Sequence, residues 1–191
     1  MYQKSTLTKN NIMLAVVNLL QDREVEQISI VDIAKEANVA VGLINYHFKS
    51  KEELFRLAVE YYIRKTITEE SRNVTSLGLT PREQLAISIK GYADFIERHK
   101  RLSRYYLLYL LENVIDAESS NLGYDYYIPL LKELKKGCAE EDLVLYICQI
   151  IHPIQMMFLR NDIMKKAVKL DFSCKKDRDV IIEKLISNIV D

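Results

Sequence analysis

Residues 29–48, SIVDIAKEANVAVGLINYHF, constrain the fold more than any other stretch of this chain. They carry two short helical patterns joined at Ala37-Asn38-Val39. Ser29 precedes the first pattern as an N-cap, with Asp32 at the third helical position and Val31, Ile33, Ala34 and Ala37 as its apolar positions. The spacing predicts a helix of about two turns, too short to be stable alone in water, so it must pack on a neighbour. Ala34 is small enough to allow close approach. Asn38 stands at the turn, where a left-handed backbone is needed and Asn is the most tolerant residue after Gly. Ile33, Ala37, Val39 and Ile44 then close a small core with a helix over residues 8–22. That earlier helix begins after Thr8 and places Ile12, Ala15, Val16, Leu19 and Leu20 on one stripe. Two short helices closed by a tight turn on a third make a helix-turn-helix.

The second of the two helices, in VAVGLINYHF (residues 39–48), is apolar on more than one face. Positions 40, 44 and 48 share one face, while 41, 42 and 45 share another. Ile44 and Phe48 are expected inside. Val41, Leu43, Asn45 and His47 are expected outside, with Gly42 allowing close approach of the backbone. A second helix of this kind enters the DNA major groove. There, apolar side chains can touch thymine methyl groups and Asn can pair with adenine through two hydrogen bonds. The competing reading, in which Val41 and Leu43 only pack in a three-helix core, stays open because helical phase does not separate the two.

The rest of the chain reads as all-α. It has only 5 Gly and 3 Pro in 191 residues, too few turn residues for a β-sandwich or barrel. Capping signals mark helix starts at Ser50 with Glu53 and at Thr80-Pro81-Arg82-Glu83. Further helices are expected over residues 102–116 and 121–136, the latter stopped by Gly137. One long helix is expected from Ala139 to about Lys166, kinked by Pro153, and a last one over 178–190. The segment LVLYICQIIHPIQMMFL, residues 143–159, has the length of a membrane span. Gln149, His152, Pro153 and Gln155 at its centre argue instead for a helix buried on one side by its own core and on the other by a partner.

Charge and chemistry narrow the function. The net charge is zero, with 27 basic and 27 acidic residues, which excludes a uniformly basic nucleic-acid binder but not a local patch. Residues 1–65 hold nine Lys/Arg and eight acids, and the basic residues at 4, 9, 49 and 51 flank the groove-facing helix. So few phosphate contacts would hold one protomer poorly, which points to a dimer. Cys138, Cys148 and Cys174 have no metal spacing and read as reduced thiols. His99 and His152 lack partners at metal spacing and read as structural. No Gly-rich phosphate loop, nucleophile elbow or HExxH motif occurs, so no catalytic residue, metal site or cofactor is expected. An apolar signal segment at the N-terminus is absent, so a cytoplasmic, non-membrane protein is expected.

SIVDIAKEANVAVGLINYHFKSKEEL, residues 29–54, resembles the DNA-binding motif of the TetR family of transcriptional regulators. The resemblance lies in the hydroxyl cap, the Ile-Ala pair, the HF segment and the lysine and capping box that follow. Three positions depart from the family pattern. Asn38 replaces the turn Gly, Ala40 replaces the usual Ser, and Asn45 stands where Tyr is usual, with Tyr46 one position later. The resemblance implies an N-terminal three-helix helix-turn-helix DNA-binding domain, residues 1–49, and a larger helical effector-binding and dimerisation domain, residues 50–191, connected by helix 50–72. Ser29, Val41, Gly42, Leu43, Asn45, Tyr46, His47 and Lys51 are the expected DNA-binding residues. Lys51 is the expected phosphate contact, matching the family lysine.

The resemblance also implies a homodimer through the last two helices, a double-stranded operator with palindromic symmetry, and release by a small-molecule effector. The expected dimer residues are Ile150, Met157, Ile182, Leu185, Ile186 and Ile189. The expected effector residues are Tyr105, Tyr106 and Tyr109 of RYYLLYL, Tyr127 of YDYYIP, and Gln155. The function expected is a DNA-binding regulator acting as a repressor. The alternative is a helical protein-interaction module whose helix-turn-helix does not read DNA specifically.

Overall fold

A computed structural model describes residues 2–75, 77–113 and 124–190. Among the described residues all regular structure is helical, as ten α-helices and one 3-10 turn, Val25–Gln27. The helices are α1 Tyr2–Asp22, α2 Ile30–Glu36, α3 Val41–His47, α4 Lys51–Thr75, α5 Pro81–Arg98, α6 Lys100–Glu112, α7 Tyr124–Leu134, α8 Glu140–Leu159, α9 Asn161–Val168 and α10 Lys175–Val190. The chain divides into two compact units. The first holds residues 1–65 and 99–115, the second residues 66–98 and 116–191. The first unit is thus larger than the domain expected to end at residue 49, because α6 packs on α1 and Phe55 of α4 meets Tyr105 of α6 edge to face at 6.0 Å.

In the first unit, α1 buries Ile12, Met13, Ala15, Val16, Val17 and Leu20 against α2, α3 and α6. The helix starts at Tyr2, six residues before Thr8, so Thr8 is an interior position and not its cap. Ser29 and Asp32 form a reciprocal capping box on α2. The Asp32 N–H donates to Ser29 Oγ at 3.1 Å and the Ser29 N–H donates to Asp32 Oδ2 at 2.9 Å. The Ser29 hydroxyl also donates to Asp32 at 2.6 Å, and these bonds hold the Asp32 carboxyl below the usual carboxylate range.

α2 ends in a Schellman motif. Asn38 adopts φ 52°, its N–H donates to the carbonyl of Lys35 at 3.2 Å, and the Val39 N–H donates to Ala34 at 2.9 Å. This left-handed residue reverses the chain and lets Ile33, Ala34 and Ile44 reach the α1 core, where all three are buried. Arg101, on α6, donates to the carbonyl of Gln21 at 2.7 Å and to Glu24 at 2.9 Å, tying α6 to the end of α1.

In the second unit α5 packs against α7, α8 and α10. Thr80 and Glu83 cap its start reciprocally, as the sequence predicts. Leu85, Ile89, Ala93 and Ile96 of α5 meet a core drawn from Leu143, Ile147, Ile150 and Ile154 of α8 and Ile181, Ile182 and Ile186 of α10. The long helix expected from 139 to 166 is two helices, broken at Arg160. The cause lies at the start of α9. The Asn161 side chain donates to Asp171 Oδ1 at 2.9 Å and accepts the Phe172 N–H at 2.8 Å, tying the start of α9 to the loop before α10. Arg178 then locks the loop to the helices, donating to the carbonyls of Phe172 and Ser173 and to Asp94 at 2.7 Å.

α8 is also the one described helix long and apolar enough to cross a membrane by length and composition. Three residues expected at a dimer seam are used elsewhere. Ile150, Ile182 and Ile186 are fully buried inside their own protomer and are closed to a partner. Helical phase explains the error: the inward and outward stripes of α8 and α10 are both apolar, and the sequence alone does not say which is which. Met157, Leu185 and Ile189 are partly exposed.

Candidate nucleic-acid interface

α3 is seven residues long and follows Ala40, which stands at the N-cap but provides no side-chain cap. Ile44 and, just beyond the helix, Phe48 are buried and fix its rotation. Every other position of Val41–Asn45 is exposed, as is Tyr46. Val41 retains 38%, Leu43 42% and Tyr46 79% of their surface. Leu43 therefore does not pack in the three-helix core, and the alternative left open by helical phase fails for it. A Cβ added at Gly42 would meet nothing within 4 Å, so no neighbour in the protomer requires Gly at that position. His47 is half-buried, its ring 5.1 Å from Tyr46 and 6.2 Å from Phe48.

The flanking cations are held by the domain. Lys9 lies over the Phe48 ring at 5.6 Å from its centroid. Lys51 Nζ donates to the Val25 carbonyl at 2.8 Å and sits over the Phe55 ring at 5.4 Å. It thus braces the 3-10 turn after α1 against the start of α4, a role that sequence did not suggest. Ser29 is exposed, but its proton and one lone pair are used within the capping box.

The residues expected to bind an effector are divided between the two units. Tyr105, Tyr106 and Tyr109 lie in the first and Tyr127 and Gln155 in the second. Tyr106 and Tyr127 are buried. Tyr105 is 6.3 Å from Tyr109, ring to ring, and burial pushes its phenol up to about 12. In the second unit Gln155 Nε2 donates to the Tyr92 hydroxyl at 2.9 Å, and the hydroxyls of Ser88 and Tyr126 bond at 3.0 Å. Burial pushes the Tyr92 phenol up to about 12, so it stays a hydroxyl. Ser88 and Tyr92 escaped the sequence reading as site residues, whereas Tyr126 lies in the YDYYIP group that it singled out. The available signal was the pair Ser88 and Tyr92, one turn apart on α5. Among the described residues no group of three His, Cys, Asp or Glu could hold a metal ion.

Residues 12–58, spanning this whole motif, match the model of bacterial regulatory proteins of the tetR family. The helix-turn-helix domain belongs to the TetR family. Two curated relatives, both from Bacillus subtilis (strain 168), carry the same type of domain. The chain is 28% identical over 123 residues to the uncharacterized HTH-type transcriptional regulator YerO, covering 64% of this chain and 42% of that protein. It is 30% identical over 101 residues to the probable HTH-type transcriptional regulator YttP, covering 51% of this chain and 48% of that one. The chain thus spans about half the length of the curated relatives it matches.

The fold is that of solved TetR-type regulators over nearly the full length. FadR from Bacillus subtilis, crystallised with stearoyl-CoA, superposes with a TM-score of 0.67 at 19% identity, covering 94% of this chain and 96% of FadR. A TetR regulator from Rhodococcus sp. RHA1 gives 0.66 at 14% identity, covering 97% of both chains. At such identities the likeness is one of fold. Within the TetR family motif, the left-handed Asn38 reproduces the turn with a non-glycine residue.

Proposed function

We propose that this chain is a homodimeric repressor that binds a palindromic operator through α3 and leaves it when a small molecule binds the helical second unit. The observation that carries the reading is the exposed face of α3. A seven-residue helix leaves Val41, Leu43, Asn45 and Tyr46 exposed while Ile44, with Phe48 just beyond it, anchors it. Apolar and aromatic side chains exposed together on one short helix mark a contact surface. A DNA groove covers them with methyl groups and base edges. Ser29, Gly42, His47 and Lys51 are proposed to border the same surface, with Lys51 contacting phosphate.

Dimerisation is supported by the outer face of α8, of which only 28% of the most apolar window is buried in the protomer. Val144, Leu145 and Met156 on α8 and Val180 on α10 are exposed, and Met157, Leu185 and Ile189 border them with partial exposure. Binding to two half-sites requires the two α3 helices of a dimer about 34–36 Å apart or a multiple of that. The effector is proposed to contact Gln155 and Tyr127 in the second unit, or Tyr105, Tyr106 and Tyr109 in the first. α4 carries the chain from one unit to the other and is the connector. A hundredfold preference of the effector for the released form corresponds to about 2.7 kcal/mol, enough to free an operator held by a modest margin. Such a protein works in the cytoplasm.

The test is selection of sites from a random duplex library by the full chain, followed by sedimentation of the complex. An enriched inverted repeat bound by two protomers supports the proposal. Failure to enrich any sequence, with the fold intact, would favour a helical protein-interaction module that does not read DNA.

A further inference from the structure

The base composition of the operator can be inferred from the exposed chemistry of α3, on the reading that α3 enters the major groove. Guanine presents N7 and O6, both acceptors, and is read chiefly by Arg or Lys. Val41–His47 contains neither. Of the lysines nearest the helix, Lys9 lies over the Phe48 ring and Lys51 on the Val25 carbonyl, while Lys49, which is exposed, lies past the end of α3. Arg23 pairs with Asp32 at 3.6 Å. No Asp or Glu lies on α3 to accept from the cytosine amino group either. His47, the one basic side chain on the helix, is at its last position, half-buried between the Tyr46 and Phe48 rings.

What α3 does expose fits the other base pair. Val41 and Leu43 offer apolar surface of the kind that covers a thymine methyl group. Asn45 offers the donor and acceptor that match adenine N7 and N6. The open space at Gly42 lets these short side chains reach base edges, because no Cβ holds the helix back. We propose that the positions read by α3 in each half-site are A·T pairs, with Val41 and Leu43 packed on thymine methyls and Asn45 paired to an adenine.

The test uses the full chain and the duplex it enriches from a random library. Replacing thymine by deoxyuridine removes only the methyl group. Loss of one buried methyl is expected to weaken binding about fourfold. The loss should shrink toward nothing in Leu43→Ala at the thymine that Leu43 covers. Replacing every guanine by 7-deazaguanine removes the N7 acceptor and should leave affinity within about twofold, since a lost bidentate contact would weaken it about fivefold or more. An enriched site insensitive to deoxyuridine overturns the proposal. A 7-deazaguanine loss beyond fivefold overturns it whatever the deoxyuridine arm gives. If no sequence is enriched at all, the DNA-binding reading itself has failed, an outcome distinct from enrichment of a G·C-read site.

Discussion

Lys51 Nζ donates a hydrogen bond to the carbonyl of Val25, 2.8 Å away and twenty-six residues earlier in the chain. The bond joins the turn after α1 to the start of α4, and the same ammonium lies over the Phe55 ring, 5.4 Å from its centroid. Lys51→Ala should therefore do two things. It should destabilise the fold by about 1.5–3 kcal/mol, the range for a hydrogen bond to a charged group. It should also flatten the salt dependence of DNA binding by about one unit, as for loss of one phosphate contact. Urea midpoints and titrations at several salt concentrations measure the two separately. A stability loss with an unchanged salt slope would make Lys51 purely a brace.

Asn45 is exposed and has no packing role in the protomer. Asn45→Ala should not lower the urea midpoint, Ala being the better helix former, and should reduce discrimination between operator and random duplex by about 1–3 kcal/mol. Equal losses on both duplexes would move Asn45 to the phosphate backbone.

Gly42 should separate stability from binding by sign. It sits inside α3 with open space where a Cβ would go. Gly42→Ala should stabilise the protein, by up to about 1 kcal/mol, because Ala is the better helix former. The same methyl should weaken operator binding by blocking close approach to the bases. Tighter or equal binding in a stabilised variant would show that the helix does not approach DNA along that face.

The dimer seam can be probed without touching the core. Ile182→Glu would bury a charge inside the protomer and unfold it, so it says nothing about assembly. Leu145 is 58% exposed, and Leu145→Glu should keep the helical content while giving monomers by sedimentation. An intact dimer in Leu145→Glu and in Met156→Glu would place the seam elsewhere.

Acid should loosen the second unit through Asp94. Burial alone would raise its carboxyl, but hydrogen bonds from Lys175 and Arg178 outweigh it and hold the group below 3.8. A depressed folded value means the unfolded chain binds the proton more readily between the two values. This stabilisation is complete above the unfolded value and is lost as pH falls through the folded one. Asp94→Asn should be less stable at neutral pH and flatter in its stability between about pH 4 and the acid limit. Urea titrations across that window check it. A parallel pH profile in the variant would remove Asp94 from the account.

Much of the first unit was legible because its signals are local. Ser29, Asn38 and Ile44 act within a few residues of their neighbours in sequence, and capping, a left-handed turn and helical phase decide them. The break at Arg160 was not legible, since it depends on Asn161 reaching Asp171 and Phe172 across a turn. Nor was the inward stripe of α8. Ile150 and Leu145 are both apolar, and only the position of α5 and α10 decides that one is buried and the other exposed. The bond between Gln155 and Tyr92 joins residues sixty-three apart, and no local pattern encodes it.

The most direct measurement of the central claim is the ratio of affinities of the full chain for its enriched duplex and for a random duplex at one fixed salt concentration. It is taken on the unaltered protein and on a Val41→Ser, Leu43→Ser, Asn45→Ala triple variant. Val41 and Leu43 keep 38% and 42% of their surface exposed, so the variant should lose some stability but keep its helical content, and the comparison is made below its own urea transition. The account predicts a ratio on the order of a thousand or more for the unaltered chain, collapsing toward one in the variant while the weak binding to random duplex persists. A ratio near one in the unaltered chain, or a high ratio that survives the triple substitution, would contradict it.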